Sequence, residues 1–348
     1  MHIPPIERQT IVVTGATSGI GLATTRHLAR LGAKLVLAAR NEDALRQLCE
    51  ELERAGTQAT YVVADVGLEK DVEAIALSAR RRFGGFDTWI NNAGVAIYGR
   101  IDEVDTADMR RLFETNFWGS VYGSRAAIRH FKARGGGKLI NIGSVLSDRA
   151  IPLQGIYSAS KFAIKGFTEA LRAEMDTEPF DISITLIKPA AINTPYKEHA
   201  KNYLDRAPQN PDPVYAPEAV AEAIAYACEH DIRDLVVGLG GKALVSMAAL
   251  APRTADRVMG YVMPWMQKSS KPAGPREDHA LYRPGRDLST RSHYPYTFER
   301  SLYTRARTNP GVTTAVALAA GAGLLALGRL TGAMGPGRDA AVRRRRSR

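Results

Sequence analysis

A tyrosine and a lysine four residues apart are the pair in this chain whose types and spacing first suggest chemistry. They are Tyr157 and Lys161, in the stretch IYSASKFAIKGF. On a helix this spacing brings both side chains to one face. A phenol has an ordinary pKa of about 10, and a nearby ammonium favours the phenolate and lowers that pKa. The pair therefore predicts a tuned proton donor and acceptor, with an ordinary helix surface as the alternative.

A second chemical signal lies near the N-terminus, in the sequence TGATSGIG, which joins a predicted strand to a predicted helix. Its glycines are Gly15, Gly19 and Gly21. Such a turn lets the backbone approach a pyrophosphate, and the N–H groups and dipole of the following helix bind the anion. The turn predicts a dinucleotide site, although its spacing differs from the general G-x-G-x-x-G fingerprint.

The residue after the second predicted strand indicates which dinucleotide is bound. An acidic residue about twenty positions after the turn suits the 2′-hydroxyl of NAD, whereas an arginine suits the 2′-phosphate of NADP. The strand KLVLAA is followed by Arg40 and has no carboxylate at its end. A guanidinium can bind a phosphate through a pair of parallel hydrogen bonds. We therefore expect NADP(H) in preference to NAD(H), with a purely structural Arg40 as the alternative.

These residues belong to a chain in which apolar runs alternate with amphipathic helices. The predicted strands are TIVVTG, KLVLAAR, ATYVVADV, FDTWINNAG, GKLINIGS, ISITLIKP and DLVVG. Nearly continuous apolar strands that alternate with helices are typical of a parallel sheet covered on both faces. The predicted fold class is therefore α/β, with a single doubly wound Rossmann-type parallel sheet, helices on both faces, and a C-terminal helical or disordered extension.

The composition indicates a neutral globular body and a basic tail. Of the 348 residues, 45% are hydrophobic and 24% are charged, and the net charge is +11. Residues 1–263 hold 31 Lys and Arg against 31 Asp and Glu, so the whole excess lies in residues 264–348, which hold 16 against 5. A neutral body argues against nucleic-acid binding. Two cysteines and a start without the apolar core of a signal peptide predict a reducing, cytoplasmic setting.

With these motifs in view, residues 8–240 resemble the short-chain dehydrogenase/reductase family. The spacing of the glycine turn, T-G-x-x-x-G-x-G, is similar to that of the oxidoreductase branch rather than that of the epimerases and dehydratases that act on nucleotide sugars. The resemblance implies hydride transfer between NADP(H) and a carbonyl or secondary alcohol. The matching pieces are TGATSGIG at 14–21, NNAG at 91–94, an asparagine at 116, GS at 143–144 and YSASK at 157–161.

The resemblance implies a catalytic set of Asn116, Ser144, Tyr157 and Lys161. Tyr157 would be the general acid in reduction and the base in oxidation, and Lys161 would lower its pKa and hold the nicotinamide ribose. Ser144 would hydrogen-bond the substrate oxygen and help to stabilise developing negative charge. Asn116 would position a water that links Lys161 to solvent. A helix cap at Ser144 and a local backbone bond at Asn116 are the alternatives.

The resemblance also implies a set of cofactor contacts around the glycine turn. Asp65 would contact the adenine, Asn92 would lie near the adenosine ribose, and Thr194 would contact the nicotinamide carboxamide. Asp65 could instead cap the next helix. The sequence departs from the family at Pro189-Ala190, where the family often has Pro-Gly, so that Ala190 adds a methyl to the cofactor wall. The expected cofactor residues are Gly15, Ser18, Gly19, Ile20, Gly21, Arg40, Asp65, Asn92, Tyr157, Lys161 and Thr194.

The chain divides into four predicted segments. Residues 1–263 form the NADP-binding catalytic domain, and residues 264–310, rich in Pro and Arg, form an extended or disordered linker. Residues 311–334 form an apolar helix rich in Ala and Gly, and residues 335–348 form a basic tail. The uncharged part of that helix is at the lower limit for a membrane span, and the arginines behind it oppose such a span. A span, a helix attached to the inner face of a membrane, and no membrane contact are all left open.

The expected substrate is small and apolar, of lipid, sterol or xenobiotic type. The walls over the nicotinamide would come from residues 95–99, 145–155 and 196–215, which offer no cluster of Lys or Arg for an anionic group. The Met-rich stretch after residue 240 extends this wall, forms a docking surface or completes the core. The alternatives are a ketoacyl reductase and a non-catalytic NADP(H) sensor that acts through its tail. No metal is expected, and the family resemblance implies a homo-oligomer.

Overall fold

The computed structural model describes residues 3–238, 250–308 and 311. Strands and helices alternate along it in the predicted order. The strands are β1 (Thr10–Thr14), β2 (Lys34–Ala39), β3 (Ala59–Val63), β4 (Thr88–Asn91), β5 (Ile97–Tyr98), β6 (Gly136–Ile142), β7 (Asp181–Pro189), β8 (Lys201–Asn202), β9 (Arg206–Pro208), β10 (Asp234–Val237) and β11 (Lys268–Pro272). The α-helices are α1 (Gly19–Arg30), α2 (Glu42–Arg54), α3 (Glu69–Phe83), α4 (Thr106–Phe113), α5 (Gly119–Arg134), α6 (Gly155–Met175), α7 (Tyr196–His199), α8 (Pro217–Glu229), α9 (Pro252–Met266) and α10 (Leu302–Thr308).

The central sheet has seven strands in the order β10-β7-β6-β4-β1-β2-β3, and its pairings are parallel. The chain builds outward from β1 to β3 and then crosses to β4 on the other side of β1. In open parallel sheets, ligands bind at the carboxyl ends of the strands where the strand order reverses. The predicted α/β fold class is confirmed, and the reversal directs attention to the ends of β1 and β4.

Both faces of the sheet are covered because successive residues of a strand point to opposite sides. In β1, Ile11 and Val13 pack in the cluster that includes side chains of α1, α2 and α8. Val12 packs on the other face with side chains of α3 and α5. All three β1 residues are fully buried. Burial on both faces explains why this strand reads as a continuous apolar run.

The helix expected near residues 106–133 is interrupted in the structure. A π-helical turn, Glu114–Trp118, separates α4 from α5. Such turns are frequent at functional sites, because they change the direction of side chains within a helix. This one contains Asn116, which the sequence predicted as a site residue, and it turns the buried Asn116 towards the loop after β4.

The segment predicted as a linker, 264–310, contains a strand and a stretch that contacts the sheet domain. β11 pairs antiparallel with β9, and Leu281 is fully buried. Residues 280–289, called the C-terminal strap below, hydrogen-bond to the turn after β1 and to the loop after β2. The chain groups into one compact unit, Met1–Thr304, and a second that begins at Arg305. Hydrogen bonds to distant backbone hold the strap, and such partners cannot be recognised from composition.

The predicted apolar helix 311–334 and the basic tail 335–348 lie outside the described residues, apart from residue 311. Within the part of the chain that the structure describes, no helix has both the length and the apolar character that crossing a membrane requires.

Candidate active site

A cavity of about 520 Å³ opens at the carboxyl ends of β1, β4, β6 and β7. It extends from the glycine turn after β1 to Tyr157 and the apolar walls beyond it. The structure brings all but one of the predicted site residues to its lining, and the exception is Asn116. The predicted residues that line it are Gly15, Ser18, Gly19, Ile20, Gly21, Arg40, Asp65, Asn92, Ser144, Tyr157, Lys161 and Thr194.

The phenol of Tyr157 lies in the cavity wall, in the first turn of α6. Burial raises the pKa of Tyr157 to about 12, and the nearby hydroxyls of Tyr196 and Ser144 partly oppose the increase. The Tyr196 ring meets the Tyr157 ring edge to face, with 5.5 Å between the ring centres. At neutral pH the phenol therefore keeps its proton and can donate it.

Lys161 lies one turn further along α6, as the spacing predicted. Its Nζ donates a hydrogen bond to the carbonyl oxygen of Ile142 at 2.9 Å and lies 5.7 Å from the centre of the Tyr157 ring. Burial lowers the pKa of Lys161 to about 8. The Tyr157 pKa is raised in the structure rather than lowered as expected, because burial of the phenol outweighs the interactions that favour the phenolate.

Ser144 has the helix-cap role that was the alternative in the sequence, and its substrate role stays a prediction. Its Oγ accepts a hydrogen bond from the backbone N–H of Leu146 at 3.0 Å and so caps the short 3₁₀ helix Val145–Ser147. The same hydroxyl lies near that of Tyr157. The cap fixes the serine side chain, and the hydroxyl is therefore held beside the phenol in the cavity wall.

Asn116 is fully buried behind the cavity. Its Oδ1 accepts a hydrogen bond from the Val95 N–H at 2.8 Å, and its Nδ2 donates to the Val95 carbonyl at 3.0 Å and to Ser160 Oγ at 3.1 Å. These backbone bonds go to the loop after β4, 21 positions away, rather than to the local helix backbone that was the alternative for Asn116. They hold the loop after β4 against the helix that carries Tyr157 and Lys161.

The glycine turn has the backbone conformation that a phosphate cradle requires. Gly15 and Gly19 have φ values of 66° and 52°, in the left-handed region that favours glycine. A Cβ at Gly21 would lie 1.9 Å from the carbonyl oxygen of Gly15, so no larger residue fits there. Ser18 and Ile20 line the cavity at the start of α1. The turn therefore fits the pyrophosphate of a dinucleotide.

The two residues expected at the adenosine end of the cavity already have partners in this structure. Arg40 donates from Nη1 to the Leu281 carbonyl at 3.2 Å and from Nη2 to the Ala280 carbonyl at 2.5 Å. Asp65 pairs with the guanidinium of Arg111 on α4. Both residues nevertheless line the cavity, so they remain available as candidate contacts for the adenosine.

Asn92 and Thr194 both contact the glycine turn. The Nδ2 of Asn92 donates to the carbonyl oxygens of Thr14 at 2.9 Å and Gly15 at 3.2 Å. The Thr194 side chain lies beside Gly19, where an added Cβ would come within 3.1 Å of the Thr194 Cβ. These contacts fix the shape of the turn from two neighbouring loops.

The departure at Ala190 is accommodated by a glycine at the end of the neighbouring strand. A Cβ at Gly238 would lie 2.8 Å from the Ala190 Cβ, and the Ala190 N–H donates to the Val237 carbonyl at 2.9 Å. The methyl of Ala190 therefore packs towards a position that has no side chain.

The far end of the cavity has mostly apolar walls. They come from the three predicted wall segments and from α9, so the Met-rich stretch does extend the wall. Sequence reasoning missed the C-terminal strap, of which Ala280, Pro284, Gly285 and Asp287 line the opposite end of the cavity. No motif in that Pro- and Arg-rich segment points to a site. Apolar wall residues include Val95, Val145, Leu146, Ile151, Met263 and Met266.

Comparison with known sequences gives matches to one family of oxidoreductases. The family model described as short chain dehydrogenase matches residues 9–204. The Bacillus subtilis (strain 168) protein named uncharacterized oxidoreductase YxnA is 47% identical over 319 residues, which cover 91% of this chain and 90% of that protein. The Bos taurus 3-ketodihydrosphingosine reductase is 31% identical over 254 residues, which cover 70% of this chain and 76% of that protein.

Solved structures show the same fold. An alcohol dehydrogenase from Thermococcus sibiricus, complexed with 5-hydroxy-NADP, is 26% identical with a TM-score of 0.58, and the match covers 66% of this chain and 95% of that chain. A short chain dehydrogenase/reductase from Burkholderia phymatum, in complex with NAD, is 25% identical with a TM-score of 0.61. The match covers 79% of this chain and 100% of that chain.

The match to the family model extends over more than half of the chain and includes the glycine turn and the Tyr157–Lys161 pair. The relatives are oxidoreductases, and the similar structures hold dinucleotide cofactors. This chain therefore belongs to the short-chain dehydrogenase/reductase family and is an NAD(P)-dependent oxidoreductase.

Proposed function

We propose that this protein interconverts a carbonyl and a secondary alcohol on an apolar substrate of lipid, sterol or xenobiotic type, with NADP(H) as cofactor and Tyr157 as general acid and base. One observation carries the proposal. The Tyr157 phenol lies at the junction between the part of the cavity next to the glycine turn and the part with apolar walls. A proton donor at that junction would face both a nicotinamide and a substrate carbonyl.

The side chains around Tyr157 suggest how reduction would proceed. The carbonyl oxygen would accept hydrogen bonds from the hydroxyls of Ser144 and Tyr157, which lie side by side. A bound dihydronicotinamide would supply the hydride to the carbonyl carbon. Tyr157 would give its proton to the oxygen, which completes the alcohol, and protonated Lys161 would stabilise the phenolate that is left. Oxidation of the alcohol would reverse these transfers.

The proposed preference for NADP(H) depends on the end of β2. The strand itself ends without an acidic residue, and Arg40, which follows it, lies in the cavity wall. A guanidinium in this position supports binding of a 2′-phosphate. The similar structures contain 5-hydroxy-NADP in one case and NAD in the other, so the fold permits either cofactor and the preference must come from local residues.

A series of methyl ketones of increasing chain length tests the proposed substrate class. With saturating NADPH, we expect kcat/KM to rise by up to about threefold for each added methylene until the chain fills the apolar end of the cavity. The matched control is a ketone of the same length that ends in a carboxylate. We expect it to react at least about tenfold more slowly, because the described residues that line that end include no Lys or Arg beyond Lys161. Equal rates for the charged and uncharged ketones would contradict an apolar substrate site.

The same assay distinguishes the proposed function from the ketoacyl reductase alternative. A ketoacyl reductase shares the catalytic residues but needs a positive patch for an acidic carrier protein, and the body of this chain has no net charge. A β-ketoacyl thioester that reacted far faster than every methyl ketone would support that alternative.

The reduction rate should decrease above pH 8. Lys161 has a pKa lowered to about 8, so it is charged below that pH and neutral above it, whereas the Tyr157 pKa of about 12 keeps the phenol protonated throughout. Because only charged Lys161 stabilises the phenolate, we expect kcat/KM for reduction to be constant near pH 7 and to fall by up to about tenfold per pH unit above 8. Initial rates between pH 6 and pH 10, with NADPH binding measured alongside, provide the test. A constant rate across this range would exclude this role for Lys161.

Contact with a membrane surface and assembly into a homo-oligomer also stay proposals. For the membrane, the support among the described residues is α9, where Tyr261 is 86% and Trp265 is 78% exposed, while Met263 lines the cavity. Tyr and Trp are enriched at membrane interfaces. Co-sedimentation with anionic vesicles would support the membrane contact, and protein that stays in the supernatant would oppose it.

For the oligomer, the family resemblance is the support, and the molar mass in solution tests it.

A further inference from the structure

The C-terminal strap crosses the cavity at the glycine turn. The Leu288 N–H donates to the Thr17 carbonyl at 2.8 Å, and the Gly19 N–H donates to the Ser289 carbonyl at 2.9 Å. Leu281 is fully buried and anchors the other end of the strap. The φ of Leu288 is 65°, a value that a leucine rarely adopts. The strap is therefore held in one defined and strained conformation beside the groups expected to bind a pyrophosphate.

The strap also occupies the guanidinium expected to bind a 2′-phosphate. Both terminal nitrogens of Arg40 donate to strap carbonyls, those of Leu281 and Ala280. A phosphate bound in the bidentate manner needs a pair of parallel N–H groups from the same guanidinium. The strap carbonyls and a 2′-phosphate therefore compete for Arg40.

Asp287 of the strap brings a carboxylate to the same place. It lines the cavity with Arg40, Asn41 and Thr17, and the next residue, Leu288, hydrogen-bonds to the Thr17 carbonyl. Burial raises the pKa of Asp287, and the charge of His199, the side chains of Thr17 and Asn41 and the charge of Arg40 oppose the increase. A hydroxyl, an amide and a guanidinium around one carboxylate form a site for an anion. The chain fills that site with its own side chain.

We propose that Asp287 is an internal competitor of the cofactor's 2′-phosphate and so determines how strongly NADP(H) is preferred over NAD(H). With the strap in place, a 2′-phosphate would meet a carboxylate of like charge beside Arg40, which disfavours binding. A ribose 2′-hydroxyl would instead find a hydrogen-bond acceptor, as the carboxylate after the second strand provides in NAD-binding sheets. A 2′-phosphorylated cofactor therefore binds when Asp287 leaves the site, whereas NAD(H) binds with Asp287 in place.

This inference rests on the proposed cofactor site, and its test measures binding rather than turnover. The probes are 2′-phospho-ADP-ribose and ADP-ribose, which differ only in the 2′-phosphate, titrated by calorimetry at one fixed salt concentration. In Asp287→Asn, which keeps the shape of the side chain, we expect 2′-phospho-ADP-ribose to bind at least about tenfold more tightly than in the wild type. ADP-ribose should bind equally or up to about threefold more weakly, because the acceptor is impaired.

The matched control is Asp278→Asn, which removes the same charge from an exposed aspartate just before the strap. We expect it to leave both affinities unchanged. An unchanged affinity for 2′-phospho-ADP-ribose in Asp287→Asn, an equal gain for both probes, or an equal gain in Asp278→Asn would overturn the inference. If neither probe bound to any variant, the proposed cofactor site would fail as well.

A second measurement uses the wild-type protein and does not depend on how a variant folds. Arg286 is exposed on the strap and precedes Asp287, so trypsin cleavage after Arg286 reports whether the strap has left its place. We expect 2′-phospho-ADP-ribose to increase cleavage after Arg286 and ADP-ribose to decrease it. Protection by both probes would show that the 2′-phosphate binds with the strap in place, which would overturn the inference.

Discussion

Replacement of Tyr157 by phenylalanine is expected to lower kcat/KM for ketone reduction by about 10³-fold, within the range that general acid catalysis provides. The variant keeps the ring that packs against Tyr196 and removes only the hydroxyl that would give its proton to the substrate oxygen. The measurement is the initial rate of NADPH oxidation with the best ketone of the chain-length series.

Tyr196→Phe is the matched control for that loss. It removes a phenol hydroxyl from the same cavity. That hydroxyl is buried without a hydrogen-bond partner among the described residues, and it has no proton-transfer role in the proposed reaction. We expect a decrease of less than about tenfold. NADPH affinity should change by less than about threefold in both variants, because neither hydroxyl is proposed as a main determinant of cofactor affinity. Equal losses in the two variants, or full activity in Tyr157→Phe, would contradict the role of Tyr157.

Replacement of Gly21 by alanine is expected to abolish cofactor binding, with an increase in Kd for NADPH of at least about 100-fold. The added methyl would lie 1.9 Å from the carbonyl oxygen of Gly15 and 2.6 Å from Asn92 Nδ2. The turn must therefore open, and overpacking of this kind lowers the free energy of unfolding by about 1–3 kcal/mol. Binding is measured by the quenching of protein fluorescence, and stability is measured by urea unfolding.

Gly166→Ala on α6 is the control for the same change elsewhere in the chain. An added methyl at Gly166 meets no other atom within 4 Å, so we expect unchanged NADPH binding and a gain of about 0.5–1 kcal/mol in the free energy of unfolding, since alanine is the better helix former. Normal NADPH affinity in folded Gly21→Ala would show that the turn does not hold the cofactor.

The central sheet could be predicted from sequence because its strands are buried on both faces. Burial on two sides requires continuous apolar runs such as the one at β1, and these alternate with amphipathic helices in the order that a parallel sheet needs. The glycine turn and the Tyr157–Lys161 pair could be predicted because they depend on local spacing. Residues that are close in sequence stay close after folding, and both the glycine turn and the Tyr157–Lys161 pair line the cavity.

The remaining features depend on contacts between residues far apart in the chain. The strap is held by hydrogen bonds from Arg40 to carbonyls about 240 positions away, and a Pro- and Arg-rich composition gives no indication of such partners. The Tyr157 pKa was expected to be lowered by a nearby lysine. Burial, which cannot be read from a four-residue spacing, dominates it instead.

Deuterium transfer tests the central claim most directly. The wild-type protein would be incubated with a long-chain methyl ketone and NADPH in which both hydrogens at C4 of the dihydronicotinamide are deuterium, and the products would be analysed by mass spectrometry. We predict a secondary alcohol with a single deuterium on the carbinol carbon, formed in equal amount to NADP⁺ and lost in Tyr157→Phe. NADPH that binds without forming a deuterated alcohol from any ketone of the series would contradict the proposed reaction.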